Sequence, residues 1–314
     1  MQVSRGLPLS AGGPIALTIG NFDGVHRGHQ AMLARLIEAA DDLELVPTVL
    51  TFDPPPREFF AKASAPPRVS SLRDKLASFR DAGVGRVVIG RFDARLASLS
   101  PEVFIDDVLV RKLGVRWVLV GEDFRFGKGR AGDLALLRQR AASFSVEAMR
   151  TVAVDGIRAS STAVRAALAE GDVERASALL GRPYAISGRV AHGAKLGRNL
   201  GFPTANLRLR RKPPLGGIYA ARVHGLGPQP RRGVASIGSR PTVSASGTPL
   251  LEVFIFDFDE AIYGRRVAVE LVHKLRDEER FPDLETLTRQ MRRDAEQARD
   301  FFGEPIDAPA AASY

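Results

Sequence analysis

"TIGNFDGVHRGHQAML", residues 18–33, decides how the first half of this 314-residue chain folds. The stretch is apolar up to Ile19, then places glycines at 20, 24 and 28 and histidines at 26 and 29. Gly20 ends a strand, Gly24 lets the chain turn tightly, and Gly28 permits close backbone approach at a helix entrance. Behind them Met32, Leu33, Leu36, Ile37 and Ala40 recur on one helical face. A strand that passes directly into a helix turns unpaired N–H groups and the positive end of the helix dipole toward the turn, which suits an anion. His26 and His29 add donors at the same place. Taken alone, the pattern also fits a glycine turn carrying two surface histidines.

Working outward, the same alternation of periods recurs. Short β-rich runs ("IALTIG", "VPTVLTF", "RVVIG", "WVLVG", "FSVEAM") are separated by helical stretches, among them 71–82, 101–113 and 133–142. Strands alternating with helices predict an α/β, doubly wound parallel sheet covered on both faces. Past residue 160 the pattern changes. In "ASSTAVRAALAEGDVERASALLGRPY", Ser160 or Ser161 can cap one short helix and Asp172 the next, with Gly171 and Gly181 as stops. After Tyr184 come "AISGRVAH", "GIYAARVHG", "GVASIGS", "LLEVFIFDF" and "RRVAVELVHKL", divided by Gly/Pro turns, the mark of a small antiparallel barrel or sandwich. A closing helix carries an apolar stripe of Leu284, Leu287, Met291, Ala295, Ala298 and Phe302. We expect domains at 1–183 and 184–303, followed by a disordered tail at 304–314.

Composition narrows the function. The chain is 45% hydrophobic and 26% charged, enough for a sizeable core. It has no cysteine, which excludes disulfides, thiolate zinc sites and a cysteine nucleophile. Its N-terminus lacks the apolar run of a signal peptide, and no stretch nears the roughly 18 unbroken apolar residues of a membrane span. A cytoplasmic location with no membrane partner is the expectation. The net charge of +9 is spread along the chain as arginines, without zinc-finger spacing or a basic tail. That favours phosphate-bearing small ligands over a nucleic-acid partner.

Four further stretches carry chemistry. "GEDFRFG", 121–127, follows the fourth of these strands at the carboxyl edge where open α/β sheets bind ligands. "SST", 160–162, opens a helix and reads either as an ordinary cap or as a phosphate clamp, with Arg165 one turn later. "HGAKLGRNLGFPTAN", 192–206, is a glycine-spaced loop able to wrap phosphate with backbone N–H groups, although no G-K-[ST] closes it. In "LLEVFIF", Glu252 is the only charge between Pro249 and Phe256. It reads as the wet face of a strand or as a proton acceptor.

"GNFDGVHRGH" resembles the (H/T)xGH signature of the nucleotidyltransferase superfamily. In its full form it is similar to the bacterial bifunctional riboflavin kinase/FAD synthetase family. "TFDPPP" at 51–56, "VLVGEDFRFGKGRAGD" at 118–133, "SSTAVR" at 160–165 and "LGRPY" at 180–184 agree in order. So do "GRVAHGAKLGRNLGFPTANL", "GIYAARV", "IGSRPT", "LEVFIFDFDEAIYG" and "KLRDEERF", extending the likeness over roughly residues 15 to 302.

The resemblance implies an FMN adenylyltransferase in the first half and a riboflavin kinase in the second, with ATP, riboflavin and FMN as substrates and Mg²⁺ as cofactor. His26 and His29 would hold the ATP phosphates, with Gly20, Asn21, Phe22, Asp23 and Gly24 shaping the pocket. Ser160, Ser161, Thr162 and Arg165 would form the second clamp. Asp123, Phe124, Arg125, Phe126 and Gly127 would line the flavin site, with Phe126 favoured over Phe124 as the ring's platform. In the kinase, Gly193, Lys195, Gly197, Arg198, Gly201, Pro203, Thr204 and Asn206 would take ATP. Thr204 and Asn206 would share a sparsely ligated Mg²⁺. Glu252 would be the base, and Arg276 would steady the flavin or a loop. The assembly expected is a monomer or weak homo-oligomer. The sequence departs from the family's pattern at Pro55 and Phe254, where histidine is frequent, and at Glu260-Ala261, where Gly-Asp is frequent. These departures bear on flavin affinity and on the turn near 260, not on the base or the metal ligands that the resemblance implies.

Overall fold

In the computed structural model, which describes residues 1–193, 200–209, 211–239 and 249–303, the elements divide into two compact units. One comprises Met1–Pro66 with Ser70–Ser161, the other Pro67–Val69 with the chain from Thr162 onward.

The five β-rich runs form β2 (Ile15–Ile19), β3 (Val46–Phe52), β4 (Arg86–Gly90), β5 (Val115–Gly121) and β6 (Ser145–Met149), joined by an edge strand β1 (Gln2–Arg5). All neighbours pair in parallel, in the order β1-β4-β3-β2-β5-β6. The doubly wound expectation is met. Alternate strand residues feed two apolar layers. Ile15, Leu17 and Ile19 pack with Phe104, Ile105, Val108, Leu109 and Leu137 on one face. On the other face Ala16 and Val49 pack with Leu33 and Leu36 of α1 (Arg27–Asp42) and Phe79. Phe79 belongs to α3 (Leu72–Asp81), which follows the short α2 (Pro56–Ala61). α3 is capped by Ser71, whose side chain accepts from the Asp74 N–H. After α4 (Ala94–Ala97) comes the segment expected to be helical from 101, which opens as a single turn, α5 (Pro101–Val103), and continues as a π-helix over Phe104–Lys112. α6 (Leu134–Gln139) begins at an Asp133 cap. A two-residue hairpin, β7 (Ala153–Val154) with β8 (Ile157–Arg158), ends the unit.

In the second unit, α7 (Ser161–Glu170) and α8 (Val173–Leu180) follow the stops expected of them. Asp172 accepts from the Arg175 N–H, and Gly181 closes α8 in the left-handed conformation. Six antiparallel strands then close a barrel in the order β10-β13-β12-β11-β14-β9. They are β9 (Ala185–Ala191), β10 (Thr204–Arg208), β11 (Gly217–His224), β12 (Arg231–Ser239), β13 (Pro249–Ile255) and β14 (Arg266–Arg276). Leu207, Tyr219, Ala235, Ile237, Leu251 and Val253 are buried along alternating positions and fill the barrel. α9 (Leu284–Phe302) starts at Asp283, which accepts from Thr286, and lays Ala295, Ala298 and Phe302 against Phe254, Phe256 and Val234 on the outside of the barrel. Leu284, the first residue of the expected stripe, stays exposed. The tail expected at 304–314 lies outside the described residues.

Candidate functional site

β2 lies centrally in the parallel sheet, with β3 on one side and β5 on the other. The chain winds outward through β3 and β4, then crosses to β5 and β6, so the winding reverses beside β2. At such a reversal the loops leaving the carboxyl ends of the two strands part and open a ligand crevice. Those loops are Gly20–His26, leaving β2, and Glu122–Gly127, leaving β5: the two stretches that the sequence marks out.

The first loop is built under strain. Gly24 sits at φ +83°, and Phe22 and the β-branched Val25 also take positive φ, 49° and 43°, which side chains resist. Packing holds them there. Phe22 is buried with its ring edge-on to Phe79, 5.3 Å between centroids, and 4.8 Å from His29. Gly28 is needed for approach, because a Cβ there would lie 3.2 Å from both the Ala159 carbonyl and the His26 ring. α1 has no side-chain cap and no acid in its first turn, so its positive end stays unneutralised.

His26 and His29 stack with ring centroids 3.7 Å apart. Burial first, then the charges of His26 and Lys75, hold the His29 pKa well below 6.5. Among the described residues, His29 Nδ1 and Asn21 Oδ1 are buried without a protein partner. Buried polar atoms of that kind point to a ligand.

Two neighbours have duties other than those expected, and two more join the site from outside the expected set. The Asp23 carboxylate accepts from the Ser70 N–H at 3.1 Å, and the Gly24 N–H donates to Ser70 Oγ at 2.9 Å, so Asp23 builds the loop. Ser161 Oγ donates to the Asp23 carbonyl at 2.8 Å, a tether for the same loop. Lys75, buried on α3, donates to the Asn21 carbonyl. Lys75 and Ser70 are absent from the sequence-based set. A signal for Lys75 existed: it falls three residues after Leu72 and four before Phe79, inside an apolar stripe. Thr162 and Arg165 open the second unit, where Arg165 Nε donates to the Pro67 carbonyl. Ser160 immediately precedes α7.

In the loop after β5, the expectation for Phe126 is corrected. Its ring is 6% exposed and packs 5.5 Å from both Phe104 and Phe124, within the apolar layer. A β-bridge between Phe126 and Gly132 folds the loop back and turns the ring inward. Phe124, half-buried and stacked on it, is the ring left with a face toward solvent. Gly127 is structural as well, at φ +73°, where a Cβ would lie 2.8 Å from Pro101. Asp123 pairs with Arg158 at 2.6 Å and Arg125 with Asp133 at 2.8 Å.

In the barrel, register assembles the second cluster. Asn206 faces Glu252, Thr204 faces Phe254, and Glu252 faces Ser236 on its other side. Opposed residues share a face, and alternation with the buried Leu207, Leu251 and Val253 puts this group on the outer face. Thr204 and Asn206, expected in the glycine-spaced loop, are therefore on strand β10. Asn206 Nδ2 donates to the Thr204 carbonyl at 3.0 Å and lies 3.4 Å from its hydroxyl. That arrangement leaves Oδ1 buried and, among the described residues, unpartnered. Gly193 closes over it, since a Cβ there would meet the Asn206 amide at 2.5 Å. A hydroxyl and an amide oxygen with a carboxylate alongside form a hard-oxygen donor set, which fits Mg²⁺ held mainly by phosphate and water. Gly201 is exposed at φ +83°, and Pro203 precedes β10. Lys195, Gly197 and Arg198 lie outside the described residues. Phe254 packs edge-on against Phe202 and Phe256. Arg276 is committed to α9: its Nε and Nη2 donate to the two carboxylate oxygens of Asp294 at 2.8 and 2.7 Å. Its Nη1 donates to the Asp277 carbonyl.

Two family patterns match, FAD synthetase over residues 10–163 and riboflavin kinase over residues 180–302. A protein of Escherichia coli K12 named bifunctional riboflavin kinase/FMN adenylyltransferase is 47% identical over 96% of this chain and 98% of its own. One of the same name from Pseudomonas fluorescens is 48% identical over 95% and 97%. The chain belongs to the bifunctional riboflavin kinase/FMN adenylyltransferase family. The FAD synthetase portion carries the glycine–histidine loop, and the riboflavin kinase portion carries the Thr204–Asn206–Glu252 face. A crystal structure described as a macrolide-efflux protein from Streptococcus pneumoniae shares the architecture, with TM-score 0.82 and 27% identity over 96% of this chain and 99% of that one. No described helix here is long and apolar enough to cross a membrane.

Proposed function

We propose that the chain makes FAD from riboflavin in two ATP-dependent steps, phosphorylation to FMN by the part from 184 to 303 and adenylylation of FMN by the part from 1 to 183. The observation that carries the reading is the coincidence of family order with chemistry. The loop at the sheet's reversal offers donors for a triphosphate, while the barrel offers a carboxylate beside hard oxygen ligands.

In the adenylylation, an FMN phosphate oxygen attacks the α-phosphorus of ATP. A P–O bond forms, the bond to the β-phosphate bridging oxygen breaks, and pyrophosphate leaves. Such a step needs alignment and charge stabilisation rather than a covalent intermediate. His26, His29 and the first turn of α1 supply donors to the phosphates, and Phe124 supplies a face for the flavin. Because His29 is neutral near pH 7, it acts as a hydrogen-bond donor and not as a cation.

In the kinase, Glu252 accepts the proton of the riboflavin 5′-hydroxyl as its oxygen bonds to the γ-phosphorus, and ADP departs. Thr204 Oγ1 and Asn206 Oδ1 would hold Mg²⁺, which when bound neutralises phosphate charge. The Asn206 amide, tied to Thr204 through Nδ2, keeps its oxygen aimed at that position. The protein acts as a cytoplasmic enzyme, a monomer or weak homo-oligomer whose partners are small molecules.

Incubation of the purified chain with riboflavin, ATP and Mg²⁺, followed by chromatography, tests the reading. FMN must appear first and FAD after it, and folded protein that yields neither overturns it.

A further inference from the structure

Lys75 is 5% exposed, on a helix face otherwise apolar. Its ammonium donates to the Asn21 carbonyl, which also accepts from Thr51 Oγ1 at 3.3 Å. That carbonyl belongs to the strained glycine–histidine loop. Lys75 therefore reaches from α3 to the root of the loop that carries both histidines.

The groups around it point to a ligand. Asn21 Oδ1 and His29 Nδ1 are buried without a partner among the described residues. The charged and titratable groups facing His29 are His26, stacked on it from the same loop, and Lys75 from α3. Asp23, the acid of that loop, accepts from the Ser70 N–H. The loop and its surroundings thus bring together a buried lysine, a helix start and two imidazoles.

We propose that Lys75 is a positioning residue of the adenylyl-transfer step: its buried ammonium clamps the Asn21 carbonyl and supplies the permanent positive charge against which the nucleotide's phosphates settle. The imidazoles then contribute directed, neutral donors, and Lys75 contributes the charge. Burial and the stacked His26 already disfavour protonation of the His29 ring, and the ammonium of Lys75 adds to them.

This rests on the reading of the first unit as the adenylyltransferase, and the test separates the two. Three variants are compared with the wild type. Lys75→Met removes both charge and tether, Lys75→Gln keeps a donor without charge, and Lys75→Arg keeps charge. The sole tryptophan, Trp117, is buried in the first unit, and its fluorescence reports whether that unit is folded. FAD formation from FMN should fall about 10²-fold in Lys75→Met and Lys75→Gln, with riboflavin phosphorylation by the same chain unchanged. Lys75→Arg should recover most of the loss. In substrate-free protein, NMR titration should find the His29 ring moved up in both neutral variants, still below 6.5 because burial and His26 remain, and unmoved in Lys75→Arg. A folded Lys75→Gln that retains wild-type FAD formation, or an unmoved His29 titration, overturns the inference. So does Lys75→Arg as slow as Lys75→Gln. A wild-type chain that makes no FAD overturns the reading on which it rests.

Discussion

The two units build their candidate sites in opposite ways. In the parallel-sheet unit the site is a loop, strained at Phe22 and Val25, whose shape depends on groups that come from elsewhere in that unit: Ser70, Lys75, Thr51 and Ser161. In the barrel the core of the site is regular strand, and Thr204, Asn206, Glu252 and Ser236 meet because register sets them side by side. One site is assembled by tertiary contacts and filled with nitrogen donors. The other is printed in a ladder and presents hard oxygens. The difference suits the proposed chemistry, since transfer to an FMN phosphate has no hydroxyl proton to remove, while transfer to a hydroxyl does.

The sharpest way to break that contrast is to disable each site and watch the other. Glu252→Gln should lower FMN formation by about 10²–10⁴-fold and leave FMN-to-FAD conversion intact. His29→Ala should lower FAD formation by about 10²–10³-fold and leave the kinase intact. Separate assays from riboflavin and from FMN read both. Loss of both activities in either folded variant would show that the two sites are not independent.

A smaller effect should distinguish how the units are held together internally. Arg276 and Asp294 form a bidentate pair with side chains 16% and 5% exposed, joining the end of β14 to α9. The neighbouring carboxylate holds the Arg276 pKa above its usual value. Asp294→Ala leaves a buried guanidinium unpaired and should cost about 3 kcal/mol. Thermal unfolding should show the loss in the barrel transition alone, with the Trp117 signal of the first unit unmoved.

Acid should act on the first unit instead. His29 is held well below 6.5 when folded and returns to about that value when unfolded. Between those limits the unfolded chain binds a proton that the folded chain refuses. Stability is therefore complete above pH 6.5 and falls as the pH drops below it, by up to about 1.4 kcal/mol per pH unit. Denaturant titrations followed through Trp117 should show the slope from pH 6.5 downward, and His29→Gln should flatten it.

What could be read in advance follows the same division. The alternation of strand and helix, the reversal of chain character near 160 and the caps at Asp172 and Gly181 are local patterns, and each is visible in a few consecutive residues. The histidine loop was legible for the same reason. Edge strand β1 was not, because it is short and Val3 is exposed. β10 was not, because the glycines preceding "PTAN" make the whole stretch look like loop. Phe126 was misread because the bridge to Gly132 that turns it inward joins residues through a fold, not a period. Ser70 and Lys75 lie 46 and 54 positions from the residues they bind. No spacing rule spans that distance, though a lysine in an apolar stripe was a clue.

Ser70 gives the finest test of a loop assembled from outside itself. Its hydroxyl accepts from the Gly24 N–H, while its backbone N–H serves Asp23. Ser70→Ala keeps the backbone contact and removes those of the hydroxyl, the acceptor for the Gly24 N–H and the 3.5 Å donation to Asp23 Oδ1. The cost should be about 1 kcal/mol, read as a small shift in the Trp117 unfolding transition. Because Gly24 stands at the positive φ that turns the chain toward the histidines, the loop should loosen where it faces the nucleotide. ATP should then bind more weakly in FAD formation, as a higher KM with little change in kcat, while the kinase KM stays where it was. A loop that held its shape by its own glycines would show neither change. The unmoved kinase beside a weakened adenylyltransferase would mark one site as dependent on distant contacts and the other as fixed by its strands.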